Sequence, residues 1–289
     1  MSTGSIAGYL TSFLRNGLVV GLATTAACTH PTATARPDAA RDGGGAPRSL
    51  FLGDLTSPEL QAAIRSGYKT ALVYSGGTEG NGPHLALGKH NYRAEYYAER
   101  IARELGHALV GEVVRFGMSS EDLAGLPGTI AVRSGTFAAL HEDIVRSLAR
   151  AGFTRIVLLT EHGPNVETLL ALAPRLDAEL APKGARVLIS TDNYTKSNAE
   201  IEAWGRTRGI FAGRHGGFSD TSELWFVNPT KVRPELIALG DTSAGAITTP
   251  DRQVIGDPRN SSVEFGRLFA DIRVRNSVAE LRRLLSPLQ

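Results

Sequence analysis

The segment GGTEGNGPHLALGKHN, residues 76–91, places one carboxylate and two imidazoles close together in the sequence, at Glu79, His84 and His90. Glycine and proline at this density exclude a regular helix or strand, so the segment is predicted to be a shaped loop. Further along the chain, the same kinds of group recur at His162, His215 and Asp220. Zinc, manganese and iron(II) take imidazole and carboxylate ligands, and a catalytic ion needs about three of them plus an open position. Glu79, His90 and His162 would meet that need.

A less specific interpretation stays open for each of these residues. The loop could be a surface turn with scattered polar side chains, and a single histidine is more often a hydrogen-bonded structural residue than a ligand. Asp220 could be the N-cap of a helix that begins near DTSELWF. The spacing of the candidate ligands matches no short helical signature such as HExxH.

The elements that must position these groups follow from the apolar pattern. Buried strands are predicted at four places, residues 70–76, 107–117, 155–160 and 186–191. Amphipathic segments predict helices at residues 92–105, 134–152, 166–180, 199–204 and 263–285. Alternating strands and helices of this length indicate βαβ units and a mainly parallel sheet with helices on both faces. In such sheets ligands bind at the carboxyl ends of the strands, so Glu79 and His162 are expected on the same rim.

Two details of the helices can also be predicted. Ser134 is the expected N-cap of its helix, whose buried face would carry Phe137, Leu140, Ile144 and Leu148. The large aromatic residues Trp204, Phe218 and Trp225 are expected in the core rather than in a binding site.

Composition limits the class of protein. The 289 residues are 42% hydrophobic and 21% charged, as in a soluble globular protein, and the net charge of +2 indicates no nucleic-acid partner. There is no GxSxG elbow for a serine nucleophile. Neither a P-loop nor a GxGxxG after a strand is present, so no nucleotide cofactor is expected.

The N-terminal residues are of a different kind. Arg15 precedes the short apolar run GLVVGLATTAAC, which predicts a signal peptide or lipoprotein leader at residues 1–28. Cys28, the only cysteine, would be the lipid attachment site and the only contact with a membrane. Residues 29–45 predict a flexible linker, and residues 46–289 a single folded domain. Export to the periplasm, free or membrane-anchored, is therefore expected, although a disordered N-terminus without an export role remains an alternative.

Five segments of the chain, taken together, resemble the creatininase family of metal-dependent amidases. GGTEGNGPHLALGKH is similar to its first signature, which reads roughly GSxEQHGPHLPLGTD. The others, in the same order as in the family, are LPGTIAV, TEHGPN, HGGFSDTSELW and VIGDPRNSSVEFG. The resemblance implies a three-layer α/β fold, a divalent metal cofactor and a homo-oligomer.

Matching the family residue by residue implies one ion instead of the usual two. Glu79 and His162 match ligand positions, whereas His90 stands where the family has a bridging aspartate. Asn81 and Pro164 stand at two further ligand positions. A neutral imidazole cannot bridge two cations, an amide offers only a carbonyl, and proline offers no side-chain ligand. The resemblance therefore implies one zinc, manganese or iron ion held by Glu79, His90 and His162.

The remaining matches concern proton transfer and substrate. His215 matches a family histidine that transfers a proton near the scissile amide, and Asp220 matches a glutamate that could orient His215 or contact the metal. His84, Asn81 and Asn165 would touch the substrate or shape the loops.

The function implied is hydrolysis of a C–N bond in a small cyclic or linear amide by metal-activated water. Two alternatives remain. One is an exported protein on this fold that binds a small molecule or metal without catalysis, and the other is a deformylase or lactonase of the same family.

Overall fold

Four parallel strands form one sheet in the order β2-β1-β3-β4. The computed structural model describes residues 46–210, 212–213, 215–238 and 254–286. The strands, listed in chain order, are β1 (Thr70–Ser75), β2 (Ala108–Val114), β3 (Arg155–Thr160) and β4 (Arg186–Ile189). These four positions agree with the strands expected from the apolar runs. The leader, the linker and Cys28, for which the sequence predicts an export role, lie outside the described residues.

Eight α-helices connect or flank these strands within the described ranges. They are α1 (Ser57–Arg65), α2 (Lys89–Leu105), α3 (Glu121–Ala124), α4 (Ser134–Ala151), α5 (Val166–Leu180), α6 (Thr195–Arg206), α7 (Phe218–Val227) and α8 (Val263–Leu285). None of the helices in this part of the chain is long and apolar enough to cross a membrane.

Helices cover both faces of the sheet, which gives the three-layer α/β fold that the sequence predicts. On β1, Ala71 and Val73 pack into the core formed with α4 and α5, whereas Leu72 and Tyr74 pack into the core formed with α2 and α8. Successive side chains of a strand point to opposite faces, so a strand buried on both faces is apolar throughout.

The register of the sheet aligns the ends of its central strands. Thr70 pairs with Arg155 at one end, and Ser75 pairs with Thr160 at the other. The loops after β1 and β3 therefore begin at the same level, on the same rim. Because α2 follows β1 on one face and α5 follows β3 on the other, the crevice between these strand ends is a topological switch point, where ligands bind in open α/β sheets.

The buried face of α4 differs from the expectation at two residues. Leu140 is 44% exposed, and His141 occupies the buried stripe with Phe137 and Leu148. The imidazole of His141 is fully paired there, since Nδ1–H donates to the Phe137 carbonyl and Nε2 lies 2.7 Å from Ser75 Oγ. The expected N-cap, Ser134, is instead the first helical residue.

The prediction that Asp220 caps a helix is also wrong. The N-cap of α7 is Gly217, and Asp220 lies in the first turn, where Oδ2 accepts a hydrogen bond from Gly216 N at 2.9 Å. Of the aromatic residues expected in the core, Phe218 is fully buried, and Trp204 and Trp225 are half-buried.

Candidate metal centre

Glu79, His90 and His162 come together at the carboxyl end of the sheet. Glu79 lies in the loop after β1, His90 is the second residue of α2, and His162 is the second residue after β3. Each residue offers one ligand atom, and these atoms lie within 4.8 Å of one another. All three side chains are buried. The fold thus gathers residues that are up to 83 positions apart in the sequence.

The contacts within this triad suit a divalent cation. His90 Nε2 lies 3.0 Å from Glu79 Oε1, and His162 Nε2 lies 3.5 Å from Glu79 Oε2. His162 Nε2–H also donates to the Met118 carbonyl at 2.7 Å, so the lone pair that an ion would take is on His162 Nδ1. Two imidazoles therefore face one carboxylate, which is a donor set that zinc, manganese and iron(II) accept. The Nδ1 atom of His90 is buried without a hydrogen-bond partner. The residues present fit an ion of this class.

The protonation states of the triad also fit an ion. Burial lowers the pKa of His90 to about 3, and it lowers the pKa of His162 as well. Burial would raise the pKa of Glu79, but the hydrogen bond with His90 and the nearby imidazoles hold it well below its usual range. At neutral pH the site therefore carries neutral imidazoles and an ionised carboxylate, the forms that bind metals.

Two asparagines shape the loops that carry these ligands. Asn81 Nδ2 donates to the Glu79 carbonyl at 2.8 Å. Asn165 Nδ2 donates to the Gly76 carbonyl at 2.9 Å, and its Oδ1 accepts from Met118 N at 3.0 Å. These hydrogen bonds join the loops that follow β1, β2 and β3.

His84 has a similar supporting position. Its Nε2 lies 2.8 Å from the Thr221 hydroxyl, and the side chain is fully buried. The cavity beside the triad is not lined by His84, Asn81 or Asn165. Of the two roles expected for these residues, contact with substrate or shaping of the loops, their positions favour the second.

His215 faces the triad through one defined nitrogen. Its Nε2 lies 2.7 Å from the Gly80 carbonyl, and its Nδ1 lies 3.5 Å from Glu79 Oε1. A carbonyl only accepts hydrogen bonds, so Nε2 carries the proton and the lone pair of the neutral ring is on Nδ1. Burial lowers the pKa of His215. The imidazole is therefore neutral at pH 7 and can accept a proton on the side of the triad.

Asp220 lies on the wall of the same cavity, but its oxygens are already engaged. Oδ2 lies 2.5 Å from Lys89 Nζ and accepts from Gly216 N, while Oδ1 lies 2.6 Å from Arg93 Nη1. Burial would raise the pKa of Asp220, and the two cations hold it well below its usual value. Asp220 thus presents a fixed, ionised carboxylate whose side chain is 15% exposed.

A buried charged network adjoins Asp220 along the wall of the same cavity, and sequence reasoning missed it. Arg93 lies 2.5 Å from Glu161 Oε1 and 2.8 Å from Glu223 Oε2, and Arg273 Nε lies 2.5 Å from the same Glu223 oxygen. One signal was available in the sequence. The buried stripe of α8 continues through Arg273, although a charged residue on that stripe would not be expected unless it had a buried partner.

The cavity has a volume of about 460 Å³. Its lining includes the triad, His215, Asp220 and Lys89. Pro164 also lines it but offers no ligand atom. The cavity thus joins a metal-type donor set, a neutral imidazole and a fixed carboxylate, which are the groups that metal-assisted hydrolysis uses.

The model of the creatininase family, described as creatinine amidohydrolase, matches residues 53–281. A mycofactocin precursor peptide peptidase of Mycolicibacterium smegmatis is 27% identical over 238 residues, which cover 76% of this chain and 86% of that protein. The creatinine amidohydrolase of Pseudomonas putida is 24% identical over 259 residues, which cover 83% of this chain and 99% of that protein.

Solved structures show the same fold. A structure described as "Creatininase Mn" superimposes with a TM-score of 0.71 at 23% identity, covering 82% of this chain and 98% of that chain. A crystal structure of creatinine amidohydrolase gives the same TM-score and identity. The α/β fold predicted from the sequence is confirmed, and family membership supports a metal-dependent amidohydrolase. The protein belongs to the creatininase family.

Proposed function

We propose that this protein hydrolyses the C–N bond of a small cyclic or linear amide, with one divalent ion held by Glu79, His90 and His162. The observation that carries the proposal is the convergence of these three ligand atoms within 4.8 Å on the wall of a cavity. A cavity of about 460 Å³ lies within the range of ordinary small-molecule sites. The family of the chain and the names of its relatives support the same class of reaction.

The roles of the residues follow from their positions. A divalent ion, when bound, supplies Lewis-acid activation of water and of an amide carbonyl. His215 Nδ1 accepts a proton as water attacks and returns it to the leaving nitrogen, since Nε2–H is held by the Gly80 carbonyl. Asp220 Oδ1, whose one contact among the described residues is Arg93 Nη1, keeps a lone pair that accepts an N–H group of the substrate. Glu79 and His90 act as ligands and do not serve as free bases.

The substrate could be cyclic or linear. One relative is named for a precursor peptide and another for creatinine, so the same fold serves proteins named for a peptide and for a small cyclic amide. The mixed lining of the cavity, with Tyr194, Asn198 and Glu202 on the α6 side, offers hydrogen-bonding groups to either kind of amide.

A screen of cyclic amides, including creatinine, and of short peptides tests the proposal. We expect turnover that is lost with a chelator, restored by manganese or zinc, and lost in the Glu79→Ala variant. Glu235→Ala is the matched control, because Glu235 is exposed and does not line the cavity. Ligand affinity without turnover, unchanged by the chelator and by Glu79→Ala, would favour a binding protein. Turnover of formyl compounds or lactones alone would favour the deformylase or lactonase alternative.

A further inference from the structure

Tyr194 brings a phenol hydroxyl to the cavity beside the candidate metal centre. The residue is half-buried and lines the cavity together with the triad, His215 and Asp220. A Cβ atom on Gly163 would lie 2.7 Å from the Tyr194 oxygen, and Gly163 directly follows His162 in the chain. The hydroxyl end of the ring therefore reaches the loop that carries one of the three proposed ligands.

This hydroxyl is not engaged by the protein. None of the hydrogen bonds among the described residues involves the Tyr194 hydroxyl. Tyrosine hydroxyls in buried surroundings usually have a hydrogen-bond partner. Because this one lies on the wall of a cavity that suits a small molecule, it is available as a donor to a bound substrate.

The backbone at Tyr194 is held in place by contacts with the end of the sheet. The neighbouring Asn193 donates through Nδ2 to the Thr160 carbonyl at 2.7 Å and to the Tyr74 hydroxyl at 2.8 Å. Arg273 Nη1 donates to the Asn193 carbonyl at 3.0 Å. The segment that carries the phenol is thus fixed to the last residue of β3 before any substrate binds, as an effective donor requires.

The phenol also keeps its proton at the pH of the reaction. Burial raises the pKa of Tyr194, and the negative charge of Asp220 raises it further. When water attacks an amide, negative charge develops on the carbonyl oxygen. Hydrogen-bond donors fixed near that oxygen stabilise the transition state, and tyrosine hydroxyls are among the side-chain groups that serve in this way.

We propose that Tyr194 is a further catalytic residue, whose hydroxyl donates a hydrogen bond to the carbonyl oxygen of the amide during attack by water. The inference rests on the proposed function of this site. Tyr194 keeps its proton throughout, and His215 carries out the proton transfer. Loss of the hydroxyl should therefore lower kcat by about 100-fold with little change in KM. The pH profile of kcat/KM should keep its shape, since Tyr194 exchanges no proton.

Binding of acetohydroxamic acid tests the inference without a known substrate. Its oxygens suit a divalent ion, and its carbonyl oxygen accepts a hydrogen bond. Isothermal titration calorimetry would compare the Mn²⁺-loaded full-length wild type with Tyr194→Phe, which keeps the ring. We expect the Kd to rise by about 10-fold or more in Tyr194→Phe, with unchanged metal per chain. Tyr68→Phe, at a half-buried tyrosine outside this cavity, is the matched control and should bind as wild type does.

The outcomes separate this inference from the proposed function. Equal Kd values in metal-loaded wild type and Tyr194→Phe would overturn the role of Tyr194 and leave the proposed function intact. The same holds if Tyr194→Phe loses its metal, or if metal-loaded wild type does not bind acetohydroxamic acid. A wild type that holds no ion after loading would contradict both. For an amide that the substrate screen identifies, equal kcat in the two proteins would also overturn the role of Tyr194.

Discussion

At the scale of single residues, backbone carbonyls determine which ring nitrogen of an imidazole in the site carries the proton. Met118 and Gly80 accept hydrogen bonds from Nε2 of His162 and of His215, respectively. For His215 this leaves Nδ1 as the basic atom, 3.5 Å from Glu79 Oε1. Such partners fix the tautomer and orientation of a ring before any substrate binds. These assignments depend on loop conformation, so residue types and spacing alone could not predict them.

His215→Gln tests the proton-transfer role. Gln keeps a polar side chain but cannot exchange a proton, so kcat should fall by about 100-fold or more with little change in KM. Metal content should stay at the wild-type value, because His215 lies outside the triad. His107→Gln, an exposed histidine away from the cavity, should leave both kinetic constants unchanged. A parallel loss of metal and activity in His215→Gln would instead assign His215 to the ligand set.

His84 should make stability depend on pH in a defined direction. Burial lowers its pKa to about 4, whereas the unfolded chain has the usual value near 6.5. Between these values only the unfolded state binds the proton, so the free energy of unfolding falls as pH decreases from 6.5 towards 4.

Urea unfolding in a chelator at pH 7 and pH 5 measures this effect. Wild type should lose about 2 kcal/mol more than His84→Gln between the two pH values, since one proton is linked to unfolding. An equal loss in both proteins would show that His84 is protonated alike in the folded and unfolded states.

At the scale of secondary-structure elements, the sequence predicts features that depend on local residue pattern. It does not predict contacts between residues that are far apart in the chain. The strands were predictable because residues 71–74 and 156–159 are continuous apolar runs, and the parallel pairing of the strands then places Glu79 and His162 on one rim. The partners of Lys89 and Arg93 were not predictable. Both cations contact Asp220, which is more than 120 residues away in the sequence. The residues around Lys89 and Arg93 in the sequence would equally suit a helix face exposed to solvent.

The packing of α7 against α8 positions Asp220 and can be tested with one glycine. A Cβ atom on Gly266 of α8 would meet the carbonyl oxygen of Ser222 and lie 2.6 Å from Phe226 Cβ, both on α7. Gly266→Ala should therefore lower the free energy of unfolding by about 1–3 kcal/mol, as measured by urea denaturation.

Gly135→Ala is the matched control for this substitution. Gly135 lies in the first turn of α4, and a Cβ atom there would meet nothing within 4 Å. The free energy of unfolding of Gly135→Ala should be unchanged or raised by up to about 1 kcal/mol, because alanine has a higher helix propensity than glycine. Equal stability of Gly266→Ala and wild type would mean that α7 and α8 are less closely packed than described.

At the scale of the whole molecule, the candidate site exists only in the folded chain. Glu79 and His162 follow two strands whose ends the sheet register aligns, and α2 adds His90 to the same place. The unfolded chain has no preformed arrangement of this kind, so ion binding is coupled to folding. The family match over residues 53–281 includes all three residues.

Elemental analysis of the purified protein, as wild type and as His90→Ala, tests the central claim most directly. We expect about one zinc, manganese or iron ion per wild-type chain and loss of that ion in His90→Ala, with both proteins folded by circular dichroism. Two ions per wild-type chain would contradict the single-ion site. No ion in wild type after loading with each metal in turn would contradict the metal-dependent hydrolase itself.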